Sequence, residues 1–192
     1  DVFYYVTVTN ENEAQPSMPA NVEEGIRRGM YCLHPVDEPQ VRLLAAGPMV
    51  KEAIAAAQLL EQHFSVSAEI WSVTSYSELA RDGMTTERNN RLQGTHAMAH
   101  VTHQLQGNNA PVIAVSDYVR AVAESIRGYV PARYATLGTD GFGRSDTRAN
   151  LRDYFEVDAR WIAFTAMCEL QACLGCTAGS QQFAQVLGLD IA

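Results

Sequence analysis

Three histidines, His96, His100 and His103, occupy positions i, i+4 and i+7 of the run HAMAHVTH. If this run is helical, the three imidazoles project from one face, because residues three and four apart are neighbours on a helix. Two histidines one turn apart can bind a divalent transition metal when a carboxylate or thiolate completes the site. No such residue is adjacent in the sequence. Partly solvated histidines on a surface helix explain the pattern equally well, and we assign no metal ligand here.

Three cysteines, Cys168, Cys173 and Cys176, have the spacing C-x4-C-x2-C, which is found in one type of iron–sulfur site. The fourth cysteine is missing, since the chain otherwise has only Cys32, far upstream. The spacing also falls at the end of a helix predicted from Asp158 to Cys173, where cysteine can pack as a small buried hydrophobe. Redox pairs lower their thiol pKa at a helix N-terminus instead. We therefore predict no cofactor or redox role for these thiols.

The run LGTDGFGRSD, which begins at Leu137, is the most suggestive loop. The glycines on either side of Phe142 allow backbone conformations that other residues avoid. Ser145 can cap the following helix, and Asp146 suits its positive end. A strand, a glycine-rich turn and a helix start can together hold an anion. The spacing is not G-x-G-x-x-G and no P-loop lysine follows, which favours an interface loop over a ligand cradle.

The elements that would position this loop alternate between strand and helix from residue 41 onward. Short apolar strands separated by amphipathic helices form parallel pairs, so we predict an α/β fold. It has three layers (α/β/α), with a largely parallel sheet and helices on both faces. The predicted strands are Asp1–Asn10, Val41–Ala46, Val66–Val73, Pro111–Val115 and Tyr134–Leu137.

The predicted helices follow from their capping and spacing patterns. Ser75 and Glu78 form a capping box, and we expect their helix to pause at Gly83. Ser116 or Asp117 can cap another helix, which should run to Gly128. Helices are also predicted after Gly47-Pro48, at Ser145–Phe155, at Asp158–Cys173 and at the end of the chain.

Composition limits the classes of function. The chain has 192 residues, 47% of them hydrophobic and 19% charged, which is a globular composition. A net charge of −8, from 14 basic and 22 acidic residues, argues against a nucleic-acid partner. The sequence contains no membrane-spanning run, secretory signal or disulfide framework, so we expect a cytoplasmic protein with no membrane partner. It also contains no G-x-S-x-G or H-E-x-x-H motif.

Several stretches are similar to one enzyme family. Leu137–Ile162 (LGTDGFGRSDTRANLRDYFEVDARWI) resembles the C-terminal signature of homodimeric pyruvate dehydrogenases, the first component of the pyruvate dehydrogenase complex. Trp71–Gly83 (WSVTSYSELARDG) resembles a second characteristic stretch of that family. Asp1–Asn12 and Met18–Tyr31 resemble the segment that joins its middle and C-terminal domains.

This resemblance implies a transketolase-like architecture. Residues 1–35 would be the last strand of the pyrimidine-binding domain plus a linker, and residues 36–192 the C-terminal domain. The full-length enzyme would use thiamine diphosphate and Mg²⁺ to decarboxylate pyruvate and pass the acetyl group to lipoamide. The family's GDG…N cofactor motif is missing from this sequence. We therefore expect no catalytic, cofactor-binding or metal-binding residue on this chain, and no activity from it alone.

The expected partners are the remaining domains, the second subunit of a homodimer and the dihydrolipoyl acetyltransferase component. Arg144 and Arg148 can pair with carboxylates in a fixed fork, either across such an interface or within the domain. An alternative function is a stand-alone binding or regulatory module of the same fold. The predicted interface loop comprises Asp140, Gly141, Gly143, Arg144, Ser145, Asp146 and Arg148.

Overall fold

The computed structural model describes Val6, Asn12, residues 14–175 and residues 179–191. Within that part of the chain, five strands form one sheet in the order β1-β3-β2-β4-β5. β1 is antiparallel to β3, and the other three pairs are parallel. The strands are β1 (Met30–His34), β2 (Val41–Ala46), β3 (Ala68–Val73), β4 (Val112–Val115) and β5 (Tyr134–Leu137).

The helices lie between and after these strands. A 3₁₀ turn at Arg127–Tyr129 precedes β5. The α-helices are α1 (Glu23–Arg28), α2 (Met49–Phe64), α3 (Tyr76–Gln93), α4 (His100–Leu105), α5 (Arg120–Glu124), α6 (Arg148–Tyr154), α7 (Ala159–Cys173) and α8 (Ser180–Leu187).

The sheet is covered on both faces, which confirms the predicted three-layer α/β/α fold. On one face, Leu43 of β2 and Ile113 of β4 pack in a core with residues of α2, α7 and α8. On the other face, Leu44 and Ala114 pack with residues of α3, α4 and α5. Residues that alternate along a strand point to opposite faces, so a strand buried on both sides has a continuous apolar sequence. This is why the sequence predicted the bounds of β2 correctly.

The upstream edge of the sheet differs from the sequence prediction. Residues of the expected linker form β1, which pairs with β3 through partners such as Met30 and Val73. The sheet therefore includes residues that precede residue 35. The domain boundary predicted between residues 35 and 36 stays a prediction. The strand expected at Asp1–Asn10 falls, apart from Val6, outside the described residues.

The prediction that α3 pauses at Gly83 was wrong, because the helix continues to Gln93. Gly83 is needed for packing: a Cβ atom there would lie 2.4 Å from ring carbons of Tyr129. The serine half of the predicted capping box is confirmed, since Ser75 Oγ accepts a hydrogen bond from Glu78 N at 3.1 Å. Ser75 N donates to Gly29 O instead of the Glu78 side chain.

Two predicted helix starts were also wrong. α6 begins at Arg148 and its cap is Thr147, whose Oγ1 accepts from Asn150 N at 3.3 Å; Ser145 lies outside the helix. α5 begins at Arg120 after Val119, and has no side-chain cap. In both cases the capping-type residue lies in a loop that extends further than its sequence suggests.

Ser116 and Asp117, the residues expected to cap α5, form hydrogen bonds with loop residues instead. Ser116 Oγ accepts from Tyr118 N at 3.1 Å, and Asp117 contributes its backbone carbonyl to Thr139 Oγ1. α5 ends at Glu124, so the helix expected to run to Gly128 is shorter and is followed by the 3₁₀ turn. Local hydrogen bonding by Ser and Asp competes with helix capping in this way.

Candidate functional site

Two loops lie together at the carboxyl edge of the sheet. The β4–α5 loop (residues 116–119) follows β4, and the glycine-rich loop (residues 138–147) follows β5. Because β4 and β5 are parallel neighbours, their carboxyl ends lie at the same edge. In open α/β sheets this edge is where ligands and partners commonly bind.

The first residues of the glycine-rich loop are joined to the β4–α5 loop. At Gly138 a Cβ atom would lie 2.7 Å from Tyr118 O and Arg120 N, so only glycine allows this approach. Thr139 N donates to Tyr118 O at 2.9 Å, and Thr139 Oγ1 donates to Asp117 O at 3.0 Å. The two loops therefore form one connected surface.

Asp140 fixes the same junction. Its Oδ1 accepts from Arg120 N at 2.9 Å and its Oδ2 from Arg120 Nε at 3.0 Å. Both side chains are about half exposed, so the ion pair itself contributes at most about 1 kcal/mol. Its effect is geometric: Asp140 holds the loop against the start of α5. Asp140, which was predicted to be an interface residue, therefore forms these contacts within the domain.

The tip of the loop has no such contacts. Gly141 has a φ of +89°, and a Cβ atom at Gly141 or Gly143 would meet nothing within 4 Å. Phe142, between them, is 93% exposed. Its side chain is therefore presented to solvent between two glycines whose Cβ positions are open. Phe142 was not among the predicted interface residues, although the two flanking glycines were a sequence feature that pointed to it.

Arg144 contacts an aromatic residue of its own domain. Its Nη2 donates to Tyr154 OH at 2.9 Å, and the guanidinium carbon lies 5.1 Å from the centre of the Tyr154 ring. Tyr154 packs edge-on against Phe155, with ring centres 5.0 Å apart. Among the described residues, Arg144 forms no salt bridge with a carboxylate. Its charge is held in a fixed position by a cation–π contact.

The C-terminal end of the loop is anchored through α6. Asp146 Oδ1 accepts from Thr147 N at 2.6 Å and from Asn150 Nδ2 at 2.9 Å, so Asp146 does stabilise the helix start as predicted. Ser145, by contrast, forms no cap and is exposed. Arg148 is the first residue of α6. The loop is thus fixed on both sides of its tip.

α6 is in turn held to the body of the domain. Arg152 Nη1 donates to Glu52 Oε1 at 2.8 Å, and Ala159 N donates to Glu52 Oε2 at 3.1 Å. The side chains of Arg152 and Glu52 are only 14% and 16% exposed, so this pair is largely shielded from water. One carboxylate of α2 therefore positions both α6 and the start of α7.

A shallow cavity of about 270 Å³ lies beside the loop. Three of its lining residues are charged, and two of them, Arg120 and Asp140, pair with each other. Its described lining residues include no nucleophile paired with a base. The lining residues are Arg120, Leu137, Gly138, Asp140, Tyr154, Phe155 and Glu156.

The three histidines do not share a helix face, because α4 begins at His100 and His96 precedes it. The His100 imidazole is buried, and its Nε2 has no hydrogen-bond partner. Burial and the nearby Arg28 lower the pKa of His100, whereas Asp82 opposes this. Within the described residues, no group of three or more His, Cys, Asp or Glu side chains is placed to hold a metal ion.

The described cysteines are free thiols. Cys168 is half-buried in α7, and burial raises its thiol pKa. Burial and the neighbouring Glu69 raise the pKa of Cys32 to about 12. Both thiols are therefore poor nucleophiles at neutral pH. Cys173 is exposed at the end of α7, and Cys176 lies outside the described residues.

The fold and the sequence together define the family. Residues 29–158 match the transketolase-like TK C-terminal domain, and the chain belongs to that family. It is 49% identical over 173 residues to the pyruvate dehydrogenase E1 component of Cupriavidus necator, covering 87% of this chain and 19% of that protein. It is 44% identical over 175 residues to the same-named protein of Escherichia coli, covering 88% and 20%.

The fold also matches a solved structure, the transketolase of Leishmania mexicana. The TM-score is 0.56 at 23% identity, with 81% of this chain and 20% of that chain covered. The chain therefore spans about one fifth of the length of these relatives. None of the helices in the described part of the chain is long and apolar enough to cross a bilayer.

Proposed function

We propose that this chain is the C-terminal part of a pyruvate dehydrogenase E1 component. The observation that supports this is identity of 44–49% to proteins of that name over 87–88% of the chain. The full-length enzyme would decarboxylate pyruvate and transfer the acetyl group to lipoamide, towards acetyl-CoA. Thiamine diphosphate supplies a ring that accepts the electron pair as carbon dioxide leaves.

The cofactor would be held by the domains that the longer relatives carry. The residues of this chain do not fit a metal–diphosphate group, because the described carboxylates, histidines and cysteines form no metal-binding cluster. The sequence also lacks the family's GDG…N motif. We therefore place thiamine diphosphate and Mg²⁺ outside this chain, and expect the chain alone to be inactive.

The role proposed for this chain is structural. Residues 36–192 would form the C-terminal domain, with residues 1–35 belonging to the preceding domain and its linker. The domain would support a homodimer in a cytoplasmic multienzyme complex that includes a dihydrolipoyl acetyltransferase. The interface segment predicted from the sequence, Asp140 to Arg148, would contact the remaining domains of its own and the partner subunit, which is consistent with the exposed tip between two fixed ends.

Cofactor binding and turnover test the assignment. Calorimetric titration with thiamine diphosphate and Mg²⁺ is expected to show binding to the full-length protein and none to this chain. Pyruvate decarboxylation is likewise expected from the full-length protein and not from this chain. Micromolar binding to this chain would mean that the cofactor site lies within it. A full-length protein that binds the cofactor without consuming pyruvate would refute the proposed reaction.

The role of the loop is tested by Arg144→Ala in the full-length protein. Removing the guanidinium should weaken dimerisation, measured by sedimentation, while the stability of this chain changes little because the side chain is exposed. Arg91→Ala is a matched control, since Arg91 also forms an exposed contact within its own domain. The interface role is wrong if Arg144→Ala changes neither dimerisation nor domain stability.

A further inference from the structure

Phe142 is the most exposed of the large hydrophobic side chains described in this chain, at 93%. A single exposed apolar residue is ordinary on a protein surface. Phe142 differs because it stands between Gly141 and Gly143, whose Cβ positions are open. A ring presented in this way can enter a narrow pocket without its chain neighbours blocking the approach.

The support for this ring is rigid. On one side, Asp140 is bound through two hydrogen bonds to Arg120. On the other side, Asp146 is bound to Thr147 and Asn150. Fixing both ends of the loop lowers the conformational entropy that is lost when its tip is bound, which favours affinity.

Other exposed apolar residues lie on the same two loops and on α6. Tyr118 is 66% exposed, Val119 39% and Tyr154 58%. We refer to these three residues and Phe142, which lie on the two joined loops and on α6, as the aromatic patch (Tyr118, Val119, Phe142 and Tyr154). Aromatic residues at the centre of a patch, with a polar rim, are typical of binding hot spots. Arg144, stacked on Tyr154, adds a positive charge at the rim.

We propose that Phe142 is the anchor residue of an interface with the remaining domains of the same enzyme. It would insert into an apolar pocket there, with a carboxylate beside the pocket to pair with Arg144. This inference rests on the proposed function, and deepens it by naming the anchor. The length of the relatives suggests which partner contacts Phe142, because about four fifths of each relative lies outside the region that this chain covers.

Hydroxyl-radical footprinting with mass spectrometry tests the anchor directly. Phe142 should be labelled rapidly in this chain and slowly in the full-length protein. Tyr118 and Tyr154 should show partial protection. Leu92, which is 66% exposed at the end of α3, is the internal control and should be labelled similarly in both.

Substitutions extend the test. In full-length Phe142→Ala, the protection of Tyr118 and Tyr154 should be lost, whereas Phe142→Leu should retain most of it. Leu92→Ala is the matched control and should leave that protection unchanged. Since the Phe142 ring has almost no contact within its own domain, Phe142→Ala should leave the unfolding of this chain unchanged.

The outcomes separate this inference from the proposed function. Equal labelling of Phe142 in both proteins would overturn the anchor, even if the full-length protein decarboxylates pyruvate. Protection of Phe142 in a protein that does not turn over pyruvate would support the anchor and refute the reaction. Protection that appears only after an acetyltransferase component is added would assign the patch to a different partner and overturn this proposal.

Discussion

Gly83→Ala should have opposite effects on stability in two backgrounds. Gly83 lies inside α3, and glycine in a helix interior is about 1 kcal/mol less favourable than alanine. Helix propensity alone therefore predicts that the substitution stabilises. The structure predicts otherwise, because the new Cβ would lie 2.4 Å from two carbons of the Tyr129 ring.

The magnitude follows from these two terms. Overpacking of this kind costs typically 1–3 kcal/mol, so the net effect is a destabilisation of about 0–2 kcal/mol. In a Tyr129→Ala background the ring is absent and only the propensity term remains. Gly83→Ala should then stabilise by about 1 kcal/mol, giving a coupling free energy of about 1–3 kcal/mol.

Urea unfolding of this chain and its three variants measures that coupling. The free energy of unfolding is taken from the midpoint and the slope, and an unchanged slope shows that the unfolded state is comparable. Gly83→Ala in the otherwise unchanged chain should lower the midpoint, and in Tyr129→Ala should raise it. If the substitution stabilises both backgrounds by the same amount, the packing argument is wrong.

Two further substitutions test the loop and its supports, and a third tests the buried imidazole of His100. Glu52→Ala leaves the shielded guanidinium of Arg152 unpaired and should cost about 2–4 kcal/mol of unfolding free energy in urea titrations. Gly138→Ala brings a Cβ within 2.7 Å of two backbone atoms and should cost roughly 1–3 kcal/mol, measured in the same way. Because the pKa of His100 is lowered in the folded chain, its imidazole is protonated at a higher pH in the unfolded chain than in the folded one. Stability should therefore be complete well above pH 6.5 and decline as the pH falls through about 6.5, and His100→Gln should flatten that decline.

Matched controls separate these effects from general damage. Glu24→Ala removes an exposed pair and should cost less than about 1 kcal/mol. Gly143→Ala enters open space and should change stability by less than about 0.5 kcal/mol. His63→Gln removes an exposed histidine and should keep the wild-type pH response. Equal losses in a variant and its control would refute the corresponding argument.

The sequence predicted the central strands well because burial on both faces produces a continuous apolar run. Val41–Ala46, the central strand, has the bounds that were predicted. Tyr134–Leu137 also has them, although it is an edge strand of the described sheet and only its alternate residues are buried. β1 was missed because MYCLH mixes polar and apolar residues, and its antiparallel pairing with β3 depends on contacts distant in sequence. The interruption predicted at Gly83 failed for a similar reason: its partner, Tyr129, is 46 positions away in the printed sequence.

The candidate site shows the same division between local and distant information. The sequence identified the glycine-rich loop and the contribution of Asp146 to a helix start, because both depend on nearby residues. It did not predict that Asp140 would pair with Arg120 or that Arg144 would stack on Tyr154. Those pairings require the β4–α5 loop and α6 to be brought to the carboxyl edge of the sheet.

The structural unit extends beyond the region matched to the family. The match ends at residue 158, yet α7 and α8 complete one face of the core. Ile162 and Ala166 of α7 are fully buried there. Phe183 of α8 packs edge-on against Phe64 of α2, with ring centres 5.5 Å apart. Without these helices the part of this apolar face that α2 does not cover would be exposed, so the last two helices are part of the domain's core and not an appendage to it.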